Sequence, residues 1–206
     1  MKRYTLIHLT DVHAVADGLL HGRVDSTAAF GNALDAVVAA GQPVDAIILS
    51  GDIADQGDEP SYRLVARALE KAAGELGAAV VVAMGNHDER GAFRSALTGD
   101  QTDGQAGDEP YDVVTWVDGL RIVTLDSTVP GEHHGELSAG QLDWLASVLA
   151  EPAPDGSVLV LHHPPIPSVL PLMDGIGLRE PERLARTLTG SDVRIVLAGH
   201  THSASA

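Results

Sequence analysis

Short apolar runs alternate with longer amphipathic stretches along most of the chain. Five runs read as strands: residues 4–10, 45–50, 79–84, 158–162 and 193–198. The last four are rich in β-branched residues and bounded by turn residues, the pattern of strands covered on both faces. The first alternates more. Between them, apolar positions at helical spacing predict helices over 26–40, 60–76, 138–150 and 181–189. Ser138 followed three residues later by Gln141 is a capping-box signature. Pro60 and Pro181 suit a first helical turn, where no N–H is needed.

One stretch breaks this rhythm. "YDVVTWVDGLRIVTLD", residues 111–126, holds two strand-like runs around Asp118-Gly119, the signal of a type I′ hairpin. The acidic, glycine-rich residues 99–110 before it read as a mobile surface loop. No internal repeat or boundary interrupts the chain, so residues 1–206 are expected to form a single domain. An α/β alternation that also contains a hairpin predicts a layered fold with mixed sheets.

Composition narrows the chemistry. Hydrophobic residues make up 44% and aromatic ones only 3%, so the core must be built from Ala, Val, Leu and Ile. A net charge of −16 argues against binding a nucleic-acid backbone. An anionic substrate would need a bound cation to attract it. The absence of cysteine excludes disulfides and thiolate zinc sites. The apolar stretch before Asp11 is too short and polar for a signal peptide, and no run is long enough to span a bilayer. The sequence therefore predicts a soluble, cytoplasmic protein with no membrane span.

The strand ends carry the chemistry. Asp11 and His13 follow the first strand, Gly51 and Asp52 the second, and "GNHDE" (85–89) the third. "HHPP" (162–165) closes the fourth and "GHTH" (199–202) the fifth. Binding sites form at this end of strands in open α/β sheets. Asp11 and His13, like His200 and His202, are two apart, so an extended backbone would point both to one side. The set Asp11, His13, Asp52, Asn86, His162, His200 and His202 offers seven oxygen and nitrogen ligands. That is too many for one tetrahedral zinc and suits two metals sharing a carboxylate.

The series D-x-H, G-D, G-N-H-[D/E], H and G-H-x-H resembles the calcineurin-like metallophosphoesterase superfamily. "LHHPPIPSVL" and "VPGEHHGE" resemble the bacterial class III 3′,5′-cyclic-nucleotide phosphodiesterases, especially the actinobacterial kind. The resemblance implies a four-layer α/β/β/α sandwich with the metals at the top of its two sheets. It also implies that Asp11, His13, Asp52 and His202 hold one metal. Asp52 would bridge to a second, completed by Asn86, His162 and His200. Iron and manganese are the implied ions, and the ligand types also admit cobalt or zinc. The catalytic residues would be His87, Asn86 and Asp52, with His87 serving the phosphate and the leaving group. Substrate contacts would come from Asn86, His87, His13 and His202, with His134 the weakest candidate, and the substrate would be a cyclic nucleotide such as cAMP.

Other residues carry less. His8 reads as a core or supporting residue, and His163 alternates away from His162 and is not expected to be a ligand. His21 falls between surface loop and pocket rim, and of His133 and His134 the resemblance favours one as a pocket contact. Asp55 and Asp88 are candidates for orienting ligand histidines. Enzymes of this kind continue past G-H-x-H with strands that close the second sheet and often a dimerising segment. Only "SASA" follows here, so the expectation is a domain truncated at its C-terminus relative to the family, lacking the closing strands, with a homodimer among its states. A broader phosphodiesterase or phosphomonoesterase, for instance on glycerophosphodiesters, and a non-catalytic metal-binding scaffold remain as alternatives.

Overall fold

A computed structural model describes residues 2–99, 109–168, 173 and 175–202. Parallel strands β1 (Leu6–Leu9), β2 (Ala46–Ser50) and β3 (Ala79–Ala83) form one sheet in that order. The second sheet, in the order β4-β5-β6-β7, combines β4 (Val113–Val117), β5 (Leu120–Thr124), β6 (Ser157–Val160) and β7 (Val193–Leu197). Only the β4–β5 hairpin is antiparallel, so this sheet is mixed as expected.

Three apolar layers separate the elements. Ala46, Ile48, Val81 and Ala83 of the first sheet meet Leu120, Ile122, Val158 and Val160 of the second. The outer face of the first sheet is covered by α1 (Ser26–Ala39) and α2 (Glu59–Leu76), through Phe30, Leu34, Val65 and Leu69. The second sheet packs on α4 (Ala139–Val148) and α5 (Pro181–Leu188), through Leu142, Leu145 and Leu184. The result is helix, sheet, sheet, helix: the four-layer sandwich. Alternate residues of β2 face opposite layers, Ile47 and Leu49 outward and Ile48 inward, which is why the strand is apolar throughout.

Helix ends follow the expected chemistry. Asp25 and Asp58 cap α1 and α2 by accepting from Ala28 and Ser61 N–H. Ser138 and Gln141 form the complete capping box at α4.

Two features differ from the sequence reading. The hairpin has its two-residue loop at Asp118-Gly119, but only Asp118 takes positive φ (51°), whereas a type I′ turn needs it at both positions. A short helix α3 (Arg90–Phe93) runs into a π-helical turn, Arg94–Thr98, that the pattern did not announce. Most of the expected mobile loop at 99–110, residues 100–108, lies outside the described residues, as does "SASA". Among the described residues no helix is long and apolar enough to cross a membrane.

Candidate metal centre

The ends of β1, β2, β3, β6 and β7 converge at one edge of the two sheets. Asp11 N–H donates to the Gly51 carbonyl (3.1 Å) and His13 N–H to that of Asp52 (2.8 Å), which knits the first two loops together. Gly199 N–H donates to the His162 carbonyl (2.9 Å) and joins the last two. The expectation of extended D-x-H and H-x-H segments fails here. Asp11, His13, Asp52, His200 and His202 all have positive φ, between 46° and 72°. The left-handed region costs an L-residue about 1–2 kcal/mol, and such strain concentrates where side chains must be aimed. The chain turns sharply at these five positions, which lie in the loops after β1, β2 and β7, and so aims their side chains at the edge where the strands end.

Two glycines are required by this crowding. A Cβ at Gly85 would stand 2.2 Å from Asp52 N, and one at Gly199 only 1.9 Å from Thr10 Oγ1. Neither loop could approach so closely with any other residue.

Asp11, His13, Asp52 and His202 offer ligand atoms that all lie within 4.8 Å of one another. His13 Nε2 is 3.2 Å from His202 Nε2, and His202 Nε2 is 3.3 Å from Asp11 Oδ1. Asp11 is itself fixed, with its carboxylate oxygens accepting from His200 N–H (3.0 Å) and the Thr10 hydroxyl (2.7 Å). On the other side of Asp52, His162 Nε2 stands 3.3 Å from Asp52 Oδ2 and 3.2 Å from His200 Nδ1. Asp52 Oδ1 accepts the His87 backbone N–H (2.9 Å), which leaves Oδ2 facing His162 on one side and His13, at 3.6 Å, on the other.

These groups are short of positive charge. His162 Nδ1–H donates to the Ser50 carbonyl (2.9 Å), so in the neutral ring the Nε2 lone pair points at a carboxylate oxygen. Burial alone would lower the His162 pKa, but the hydrogen bond and charge of Asp52 outweigh it and raise it. Burial would likewise raise Asp52, yet His162 and the His87 N–H hold its carboxyl well below the usual range. Burial and the neighbouring His162 push His200 down to about 4, and burial also lowers His13. Asn86 Oδ1 is buried with no hydrogen-bond partner among the described residues. Lone pairs converging on ionised carboxylates, with an orphaned amide oxygen beside them, are the donor set of a cation site.

Around these lies a cleft of about 460 Å³, lined among others by Leu20, His21, Asp55, Asn86, His87, His133, Ile176 and Thr201. His87 Nδ1 donates to the Asp55 carbonyl (2.8 Å), leaving Nε2 for the cleft. The Asp55 carboxylate lies 3.4 Å from His13 Nδ1, close enough to orient that ring. Asp88, the other candidate, holds backbone instead. Its buried carboxylate accepts from the N–H groups of Ile53, Ala54 and Gly85 and from the Tyr62 hydroxyl, pinning the β2 and β3 loops together. Burial pushes its carboxyl up to about 6 despite those donors. His8 Nε2 meets Ser50 Oγ at 2.7 Å, in a supporting position.

The weakest substrate candidate is misplaced. His134 points away from the cleft, between Glu132 and Glu136, and it is His133 that lines the cleft. Strand alternation does not extend into this loop, so nothing in the sequence separates the two.

The sequence pattern of calcineurin-like phosphoesterases matches residues 4–204. The chain belongs to the calcineurin-like phosphoesterase family. A probable cyclic nucleotide phosphodiesterase of Rhodococcus erythropolis is 49% identical over 200 residues, covering 97% of this chain and 65% of that protein. A cAMP/cGMP dual specificity phosphodiesterase of Mycobacterium tuberculosis is 47% identical over 200 residues, covering 97% of this chain and 62% of that protein. The chain thus spans just under two thirds of the length of these curated relatives. A dimetal phosphatase from Danio rerio shares the fold, with a TM-score of 0.64 at 21% identity over 97% of this chain and 82% of that one. In this calcineurin-like phosphoesterase, then, the two groups of Asp and His side chains sit where the two sheets end, with Asp52 Oδ2 between His13 and His162.

Proposed function

We propose that this calcineurin-like phosphoesterase is a dinuclear metal-dependent phosphodiesterase acting on 3′,5′-cyclic nucleotides. The observation that carries the reading is Asp52 Oδ2, which faces His162 Nε2 at 3.3 Å and His13 Nε2 at 3.6 Å and can serve an ion on each side. Asp11, His13 and His202 would complete one site, and Asn86, His162 and His200 the other. Oxygen and imidazole donors without thiolate suit iron and manganese, with cobalt or zinc also compatible. Two such ions would supply Lewis-acid charge at the phosphate and lower the pKa of water towards 7.

The chain's own residues do the rest. Asn86 lends a neutral oxygen that leaves the cationic charge of the site undiminished. His87, with Nδ1–H held by the Asp55 carbonyl, can when protonated at Nε2 donate a hydrogen bond to a phosphate oxygen or give that proton to the departing ribose oxygen. Its backbone N–H meanwhile holds Asp52 Oδ1. His13 and His202, at the mouth of the same cleft, would add contacts to the phosphate. Cyclic nucleotides are chosen over other diesters because the two relatives at 47% and 49% identity carry that substrate in their names. The reading takes residues 1–206 as one catalytic domain working in the cytoplasm.

The test is hydrolysis by the metal-reconstituted protein of cyclic AMP, cyclic GMP and bis(p-nitrophenyl) phosphate. Turnover of a cyclic nucleotide, abolished by chelator, is expected. Turnover of the nitrophenyl diester alone would point to the broader phosphodiesterase, and no turnover of any to a scaffold.

A further inference from the structure

His163 follows the proposed ligand His162, is fully buried, and packs edge-on against the His162 ring and at a tilt against that of His200, at centroid distances of 5.0 and 4.6 Å. It lies close enough to both to belong to a metal-binding cluster, yet neither of its nitrogens is available. Ser127 Oγ is 2.9 Å from Nδ1, and the His133 carbonyl oxygen is 3.3 Å from Nε2. A carbonyl only accepts, so Nε2–H donates to His133 and Nδ1 accepts from the Ser127 hydroxyl. Gly135 presses on the same ring: a Cβ there would stand 2.5 Å from His163 Cγ. The loop is therefore clamped at 127, 133 and 135 on one imidazole.

The clamp reaches the proposed metal site. The His133 ring lines the cleft with its Nδ1 3.5 Å from Asn86 Nδ2. A carboxamide has nearly the same shape either way round, and only its hydrogen bonds decide which end points where. Here Nδ2–H is drawn outward to His133, which turns Oδ1 inward, where it is buried and unpartnered among the described residues. We infer that His163 is a positioning residue: through the His133 carbonyl it holds the His133 ring where that ring fixes the Asn86 carboxamide oxygen-inward. This rests on Asn86 being a ligand, as proposed above.

The test is the affinity of the full metal-free chain for each of two Mn²⁺ ions, by chelator competition. The variants are Asn86→Ala, His133→Ala, His163→Phe and His163→Gln. Asn86→Ala should weaken one ion. His133→Ala and His163→Phe should weaken the same ion by about 10–100-fold, the usual effect of losing a group that orients a ligand. The other ion should bind as before. His163→Gln, which keeps an N–H for the His133 carbonyl, should recover most of the loss. In the metal-free protein, the Asn86 side-chain amide resonances should move in both His133→Ala and His163→Phe. His133 is exposed, so its variant tests the inference even if His163→Phe does not fold. Unchanged affinity in His133→Ala while Asn86→Ala weakens an ion would overturn the inference alone. Equal weakening of both ions in His163→Phe without rescue by Gln would also overturn it, leaving only packing. An Asn86→Ala variant that binds both ions normally would overturn the ligand assignment, and the inference with it.

Discussion

His87 works through two different atoms, and a single substitution separates them. Its backbone N–H holds Asp52, while its ring faces the cleft. His87→Ala keeps the backbone contact, so both metals should remain, while turnover of a cyclic nucleotide falls by about 10²–10⁴, the usual cost of losing a general acid. The loss should be much smaller for a p-nitrophenyl ester, whose leaving group needs no proton. Equal losses would show that His87 binds phosphate without donating. For Asp52 the expectation is the reverse. Asp52→Ala should release both ions and cost more activity than Asp11→Ala, because only Asp52 Oδ2 faces both clusters. Elemental analysis of the two variants checks this, and two retained ions in Asp52→Ala would end the bridging assignment. At this scale the sequence was most legible where chemistry forced residue type: glycine before Asp52, Asn86 and His200, and histidine at strand ends with no packing purpose. What could not be read was direction. Positive φ at five ligand positions, and the choice of His133 over His134 for the cleft, arise from contacts between distant loops. So does the engagement of both His163 nitrogens, which depends on a serine 36 residues away.

The elements were legible where local signals and burial agreed. Apolar runs located β2, β3 and β6 because both faces of these strands are covered; the capping box located the start of α4, and Pro60 and Pro181 those of α2 and α5. Helix α3 and its π-helical turn escaped notice because four residues give no periodicity; Glu89 caps the turn, accepting from Gly91 and Ala92 N–H. Breaking the capping box with Ser138→Ala should cost about 1 kcal/mol in urea unfolding while leaving metal content unchanged, since α4 lies on the far face of the second sheet. A second link joins β5 to the approach to β7. The buried Arg121 donates to Asp192 Oδ1 (2.7 Å), and Asp192 also accepts from Ala153 N–H (2.7 Å) and Ser157 Oγ (3.0 Å). Burial opposes ionisation of Asp192, but these donors and the Arg121 charge prevail and hold its carboxyl below the ordinary value. Because the folded group titrates lower than the unfolded one, its stabilisation is complete above the ordinary carboxylate pKa and fades as pH falls through the folded value. Asp192→Asn should therefore lower stability by about 1–3 kcal/mol at pH 7, and the gap to the native chain should close on acidification. Urea midpoints at pH 7, 4, 3 and 2 would show it; a gap that is constant over that range would mean that the carboxylate charge is irrelevant there.

Across the whole molecule, a chain of net charge −16 gathers ionised aspartates and imidazole lone pairs at the end of two stacked sheets. That arrangement is unfavourable until a cation enters, so metal should stabilise the fold by mass action as well as enable chemistry. The layer order was legible from the alternation of runs, because each apolar strand must be covered on two sides and each amphipathic helix on one. Two ions sharing Asp52 would turn this acidic protein into a phosphodiesterase. The most direct measurement titrates metal-free protein with Mn²⁺ while following cyclic AMP hydrolysis. Activity should rise to its plateau only as the second ion per chain is taken up. A plateau at one ion, or hydrolysis that persists without metal, would rule out a dinuclear centre built on Asp52.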